Sequence, residues 1–328
     1  MKFARTCVFL GAGLLPLSLA AQPRLAQTFL TAPGKTGPLK GTLLAPAAKP
    51  GAALLIIPGS GPTDRDGNNP LGVKASTYQL LAEGLAARGT ATLRIDKRGM
   101  FASAAAARDA NAVTIPDYVD DVRSWVTVLA QDTGAPCVWL LGHSEGGLIA
   151  MAAARELPGV CGLVLVATAG RPMGEVLREQ LKANPANAAL VDKASSTIDA
   201  LEQGRRVDTQ DMPEALRRLF RAPVQGFLIS AFSYDPGKLL EGYAKPVLVL
   251  QGQRDIQVGE TDARLLQKAD PAARLVLLPD VNHVLKTVAS DDRQQNIASY
   301  ADPALPLAPG VIDAIADFLA GHGADPAK

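Results

Sequence analysis

Apolar residues fall in two rhythms along this chain of 328 residues. Unbroken apolar runs bounded by turn residues occupy Ala53–Pro58, Ala91–Ile95, Val138–Gly142, Gly162–Ala167, Val247–Gln251 and Leu275–Leu278. Between them, Thr77–Arg88, Pro116–Gln131, Gly146–Glu156 and Thr261–Lys268 carry apolar residues at helical spacing, as does Ile312–Ala320 near the end. An unbroken run reads as a strand buried on both faces, and helical spacing as a helix with one apolar side. The alternation predicts a three-layer α/β domain, a mostly parallel sheet covered by helices on both faces. Ahead of it, Gly37–Pro46 predicts an edge hairpin strand.

One interval breaks the rhythm. From Arg171 to Lys245 there is no strong strand signal, only the helix-like pieces Gly174–Ala183, Ala194–Glu202, Pro213–Phe220 and Gln225–Phe232. An ordinary strand-to-strand connection of this kind has loops of about 2–6 residues, so this interval predicts a helical cap inserted after the sixth strand. Within it, Phe220, Phe227, Phe232 and Tyr234 either line a pocket or pack the cap onto the core, and Arg217, Arg218 and Arg221 form a basic cluster.

The first residues follow another pattern. Lys2 and Arg5 precede an apolar stretch, Cys7–Ala20, that ends in the small residues Ser18-Leu19-Ala20. This predicts a secretory signal peptide over residues 1–20, cleaved after Ala20 within a residue or two, and a mature domain over 21–328. The stretch is short for a membrane span, so the expected product is periplasmic or secreted, with no stable membrane insertion. Export bears on Cys137 and Cys161, which begin two apolar runs. They are either a disulfide between neighbouring strands or two buried thiols.

Charge narrows the partners. The formal net charge is +1, with 20% charged residues and no run of one sign. This gives no electrostatic reason to expect nucleic acid. No GxGxxG or P-loop spacing follows a strand, and Thr63–Asn69 fails as a calcium loop because Asn69 and Ala75 stand where glycine and glutamate are required. No cofactor and no metal is expected.

The candidate chemistry centres on Gly142-His143-Ser144-Glu145-Gly146, followed by Gly147. A predicted strand precedes this G-x-S-x-G and a predicted helix follows, the context of a nucleophile elbow. Serine needs a base, and the chain holds three histidines. His143 adjoins the serine and should point away from it. His322 sits among glycines in an expected terminal tail. His283, after the last strand, remains. Asp255, directly after the preceding strand, is the favoured acid to orient it; the competitor Asp280 better suits the turn leaving the last strand. The backbone N–H groups of Glu145 and Ser60 are the candidate oxyanion donors. Asp64, Arg65 and Asp66 brace the loop after the first apolar run, with Asp96, Lys97 and Arg98 as possible partners.

The motifs GSGPTDRDGN (Gly59–Asn68), DKRG (Asp96–Gly99), GHSEGG (Gly142–Gly147), RDIQV (Arg254–Val258) and NHVLK (Asn282–Lys286) resemble a bacterial subgroup of esterase-like serine hydrolases in the α/β-hydrolase superfamily. The likeness runs from about Thr28 to Ala320 and implies a three-layer α/β-hydrolase fold. It implies a Ser144–His283–Asp255 triad acting on a small-molecule ester, typically with a short acyl chain, through an acyl-enzyme. The alternatives are a serine peptidase, with Glu145 or the cap receiving a free amine, a thioesterase, and a non-catalytic binding protein. One departure stands out. DKRG continues as Met100-Phe101-Ala102, where similar sequences carry glycine and a small polar residue.

Overall fold

A computed structural model describes residues 25–323, which form an eight-stranded sheet in the order β1-β2-β4-β3-β5-β6-β7-β8. The strands are β1 (Leu25–Ala32), β2 (Leu39–Pro46), β3 (Ala52–Ile57), β4 (Thr90–Ile95), β5 (Val138–His143), β6 (Val160–Val166), β7 (Val247–Gly252) and β8 (Arg274–Leu278). β1 pairs antiparallel with β2, and β2 with β4; every other neighbour is parallel. The expected signal peptide lies outside the described residues.

Every residue of β3, β4, β5 and β7 is buried, which is why these runs lack polar alternation. Successive side chains point to opposite faces of a strand. Thus Leu55 and Ile57 join one core with α2 (Ile115–Thr133) and α3 (Glu145–Glu156), while Leu54 and Ile56 join another with α1 (Thr77–Ala87). The start of α2 is fixed by a Thr114–Asp117 capping box, and Gly134 ends it in a left-handed conformation.

The edge differs from expectation. Gly37–Pro46 contains β2, but β2 lies inside the sheet, and β1 is the edge. β1 is largely exposed, with only Ala32 fully buried, so it carries no apolar rhythm to read.

Between β6 and β7 the chain forms α4 (Met173–Lys182), α5 (Val191–Glu202), α6 (Glu214–Leu219), α7 (Gln225–Phe232) and α8 (Pro236–Leu240), with no strand. This insertion has its own core around Ile198, Leu201, Leu216 and Phe220. α9 (Glu260–Ala269), α10 (Arg293–Ala298) and α11 (Val311–His322) complete the chain. Among the described residues, no helix is long and apolar enough to cross a membrane. His322 is no tail residue: it closes α11, its ring against Trp139 and Phe318.

Cys137 and Cys161 are joined in a disulfide, their Cα atoms 5.2 Å apart. Adjacent parallel strands bring the start of β5 beside the start of β6, where the register shifts by one residue between Val138 and Trp139.

Candidate active site

β5 ends at His143 and α3 begins at Glu145, so Ser144 alone makes the turn. Its backbone is at φ 55°, ψ −122°, a conformation costly for any side chain and sustained only where its surroundings enforce it. Here the enforcement is steric. A Cβ on Gly142 would lie 2.3 Å from the Gly146 carbonyl oxygen, one on Gly146 2.2 Å from that of Ile57, and one on Gly147 2.1 Å from Thr168 Oγ1. The three glycines let strand, turn and helix approach to a distance that side chains forbid. Ser144 sits at the N-terminus of α3, where the first N–H groups have no intrahelical partner and the dipole favours negative charge. Glu145 supplies the first of those N–H groups.

His283 follows β8. Its Nδ1 lies 2.7 Å from Asp255 Oδ2, and both side chains are nearly or fully buried. The other oxygen of Asp255 accepts from the backbone N–H groups of Gln257 at 2.7 Å and Val258 at 3.0 Å. The carboxylate is therefore held by its own loop, and the imidazole by the carboxylate. Asp280 takes no part: it is more than half exposed and faces Arg254. The loop carrying His283 is fastened by its neighbours. Asn282 Nδ2 donates to Asn296 and Ser299 while its oxygen accepts from the Lys286 N–H. The Lys286 ammonium, fully buried, donates to the Leu305 carbonyl.

A cavity of about 190 Å³ is lined by Ser60, His143, Ser144 and His283 together. Gly59 brings the loop after β3 against the elbow, since a Cβ there would meet the Ser144 Cβ at 3.3 Å. A second cavity of about 330 Å³ starts at Ser60, Ser144 and Glu145 and runs under the insertion, with Leu148, Val176 and Leu228 in its walls. Of the four aromatics singled out in the insertion, only Phe227 lines it; Phe220 and Phe232 are in the insertion's core, and Tyr234 packs on the main core. Arg217 and Arg218 pair with Glu214 on one exposed helix face.

Two features escaped the sequence. His143 lines the same cavity as Ser144, and its ring bonds to the Tyr78 hydroxyl at 2.9 Å and to the His283 carbonyl at 2.8 Å. Burial and the neighbouring His283 hold its pKa down to about 3, so it is neutral. The charges after β4 also have unexpected partners. Asp96 does pair with Arg65, at 2.5 Å. Lys97, however, meets Glu145 at 3.1 Å and the Gly59 carbonyl at 2.7 Å, and Arg98 is bound by Asp117 and Asp121 of α2. Only a folded sheet shows that Lys97, at the end of β4, reaches across to α3. Among the described residues, no three histidine, cysteine, aspartate or glutamate side chains gather to hold a metal.

The sheet order and the elbow are those of an α/β-hydrolase fold. The family model of serine aminopeptidase S33 matches residues 71–223, which include Ser144 but not Asp255 or His283. Esterase EstD of Thermotoga maritima is 27% identical over 243 residues, covering 72% of this chain and 55% of that protein; the chain thus spans about half the length of this curated relative. Two solved structures share the fold: Est1E from Butyrivibrio proteoclasticus (TM-score 0.55, 16% identity, 90% of this chain and 98% of that one) and a thermophilic esterase from Thermogutta terrifontis (0.54, 19%, 90% and 99%).

Proposed function

We propose that this protein is an exported serine carboxylesterase that cleaves short-chain acyl esters through Ser144, His283 and Asp255. The observation that carries the reading is a serine at φ 55° on a strand-to-helix elbow, sharing a cavity with a histidine whose Nδ1 is bonded to a buried aspartate. His283 Nε2 takes the Ser144 proton as Oγ attacks the ester carbonyl. The backbone N–H groups of Glu145 and Ser60 hold the oxyanion. The alkoxide leaves with the proton from His283, and water then attacks the acyl-enzyme by the same route to release the acid and restore Ser144. The insertion acts as a cap that walls the apolar cavity beside the serine.

The likeness to esterase EstD supports ester hydrolysis. The S33 match favours aminopeptidase activity as a second reading. Against it stands Glu145: its carboxylate is buried and engaged by Lys97, so it is no free anion for a substrate's amine. Export is supported by the disulfide, which belongs to an oxidising compartment.

The test measures kcat/KM on p-nitrophenyl esters of increasing chain length and on aminoacyl p-nitroanilides. The expected result is turnover of short esters, loss of at least about a thousandfold in Ser144→Ala and Asp255→Asn, and little change in Asp280→Asn. Faster turnover of the anilides overturns the esterase reading. The exported protein should begin at Ala21 or within a residue or two, as read by intact mass.

A further inference from the structure

The departure at Met100-Phe101-Ala102 lies at a third cavity. It measures about 380 Å³ and is lined by Met100, Phe101, Tyr118 and Phe227, meeting the cavity under the insertion at Gly61 and Glu145. Ser144 lines the cavity under the insertion, and its neighbour Glu145 lines both. The one under the insertion is walled mainly by aliphatic side chains; the other has three aromatic rings and a thioether together with Lys97, Asn111 and Arg221, and Phe227 lines both.

Phe101 is held there against its own preference. Its φ is 45°, the left-handed region that suits glycine and is a genuine outlier for an aromatic residue. The backbone on either side leaves it no choice. The Ala102 N–H donates to Asp96 Oδ2 at 3.1 Å, and the Ser103 N–H to the Met100 carbonyl at 2.9 Å. Ser103 Oγ donates to the Asp96 carbonyl at 3.0 Å, and Asp96 is itself clamped by Arg65. The turn thus has the geometry of a glycine turn but carries a phenylalanine that remains 43% exposed. Burial does not explain the ring, because so much of it stays in solvent. Strain that persists at the mouth of a cavity beside a reactive residue points to a use there.

We infer that Phe101 is a specificity-determining residue, and that the cavity it borders takes an aromatic ring of the ester while the cavity under the insertion takes its aliphatic part. This rests on the esterase reading and narrows its substrates to esters carrying a ring. Rings pair edge-to-face or offset, and thioethers contact ring edges. Phe101, Phe227, Tyr118 and Met100 supply those partners around one volume.

Phe101→Gly and Phe101→Leu are compared with wild type on methyl acetate, methyl butyrate, methyl benzoate, methyl cinnamate and benzyl acetate. Glycine suits the left-handed turn, so its Tm should equal or exceed that of wild type. Leucine keeps apolar bulk without a ring. The expected result is that, in both variants, kcat/KM for at least one ring-bearing ester falls roughly tenfold relative to methyl butyrate, as for loss of one aromatic contact. If wild type cleaves the alkyl esters but no ring-bearing one, or if the ratio is the same in all three proteins, this assignment fails and the esterase reading stands. If wild type cleaves no ester, both fail together.

Discussion

The Tyr78 hydroxyl, 2.9 Å from His143 Nδ1, is the middle of a chain of hydrogen bonds that crosses the whole site. The His283 carbonyl can only accept, so His143 Nε2 carries the proton and Nδ1 is the acceptor. Tyr78 then donates to His143, and its oxygen accepts from the Gly59 N–H at 2.9 Å. Loop, helix α1, elbow and the His283 loop are thereby linked through buried groups. Replacing Tyr78 with phenylalanine leaves the Gly59 N–H and His143 Nδ1 buried without partners. The expected loss is about 2 kcal/mol of stability. Gly59 precedes Ser60, the proposed oxyanion donor, so kcat should fall about tenfold with KM little changed. Urea unfolding and steady-state kinetics check this; a stability loss with kcat intact would make Tyr78 structural only.

His143 also gives the fold a pH dependence of known sign. Unfolded, the imidazole protonates near its ordinary 6.5, whereas burial and the His283 charge keep it neutral in the fold down to about 3. Between those values the unfolded chain binds the extra proton, so stability falls as pH drops from 6.5 and is indifferent to this group above it. The limiting slope is about 1.4 kcal/mol per pH unit. His143→Gln should be less stable than wild type at pH 8 yet lose less on acidification. Urea midpoints across pH 7 to 4 decide it, and parallel curves would remove His143 as the cause.

Lys97 and Glu145 form an ion pair with both side chains only 3% exposed, next to Ser144. Removing the cation strands a buried carboxylate beside a site where negative charge develops. Lys97→Met should therefore cost about 3–5 kcal/mol and slow turnover. Glu145→Gln should cost less, because Lys97 keeps the Gly59 carbonyl. The double variant should fall short of the sum by about 2 kcal/mol. A double-mutant cycle in urea gives that coupling directly, and strict additivity would deny the pair any role.

What the sequence made legible follows from range. The elbow could be read because its three glycines fall within six residues, Gly142 to Gly147, each answering a contact within the turn or with a neighbouring strand or the loop after it. Asp255 and His283 could be read because each directly follows an apolar strand. Tyr78 could not: it belongs to a helix whose apolar spacing it simply continues, and its hydroxyl finds His143 only once α1 lies on the sheet. Lys97 looked like a loop charge because nothing local says that β4 ends facing α3. β1 was invisible for a different reason, since an exposed edge strand is selected by backbone pairing with β2 rather than by burial.

The disulfide sits at the other end of the same strand. Cys137 precedes β5, and Ser144 follows it after six residues of extended chain, a separation of about 20 Å. The bridge closes a loop with a sequence separation of 24, which by chain entropy stabilises the fold by about 3 kcal/mol. Cys137→Ser, or reduction of wild type, should lower stability by that order. kcat/KM on a short ester at 25 °C should change less than twofold, because the bridge pins the strand starts and the chemistry lies at their ends. Urea unfolding with and without reductant, run beside an ester assay, separates the two effects. Unchanged unfolding under reductant would mean that the bridge adds nothing, and parallel loss of activity would mean that it shapes the elbow from below.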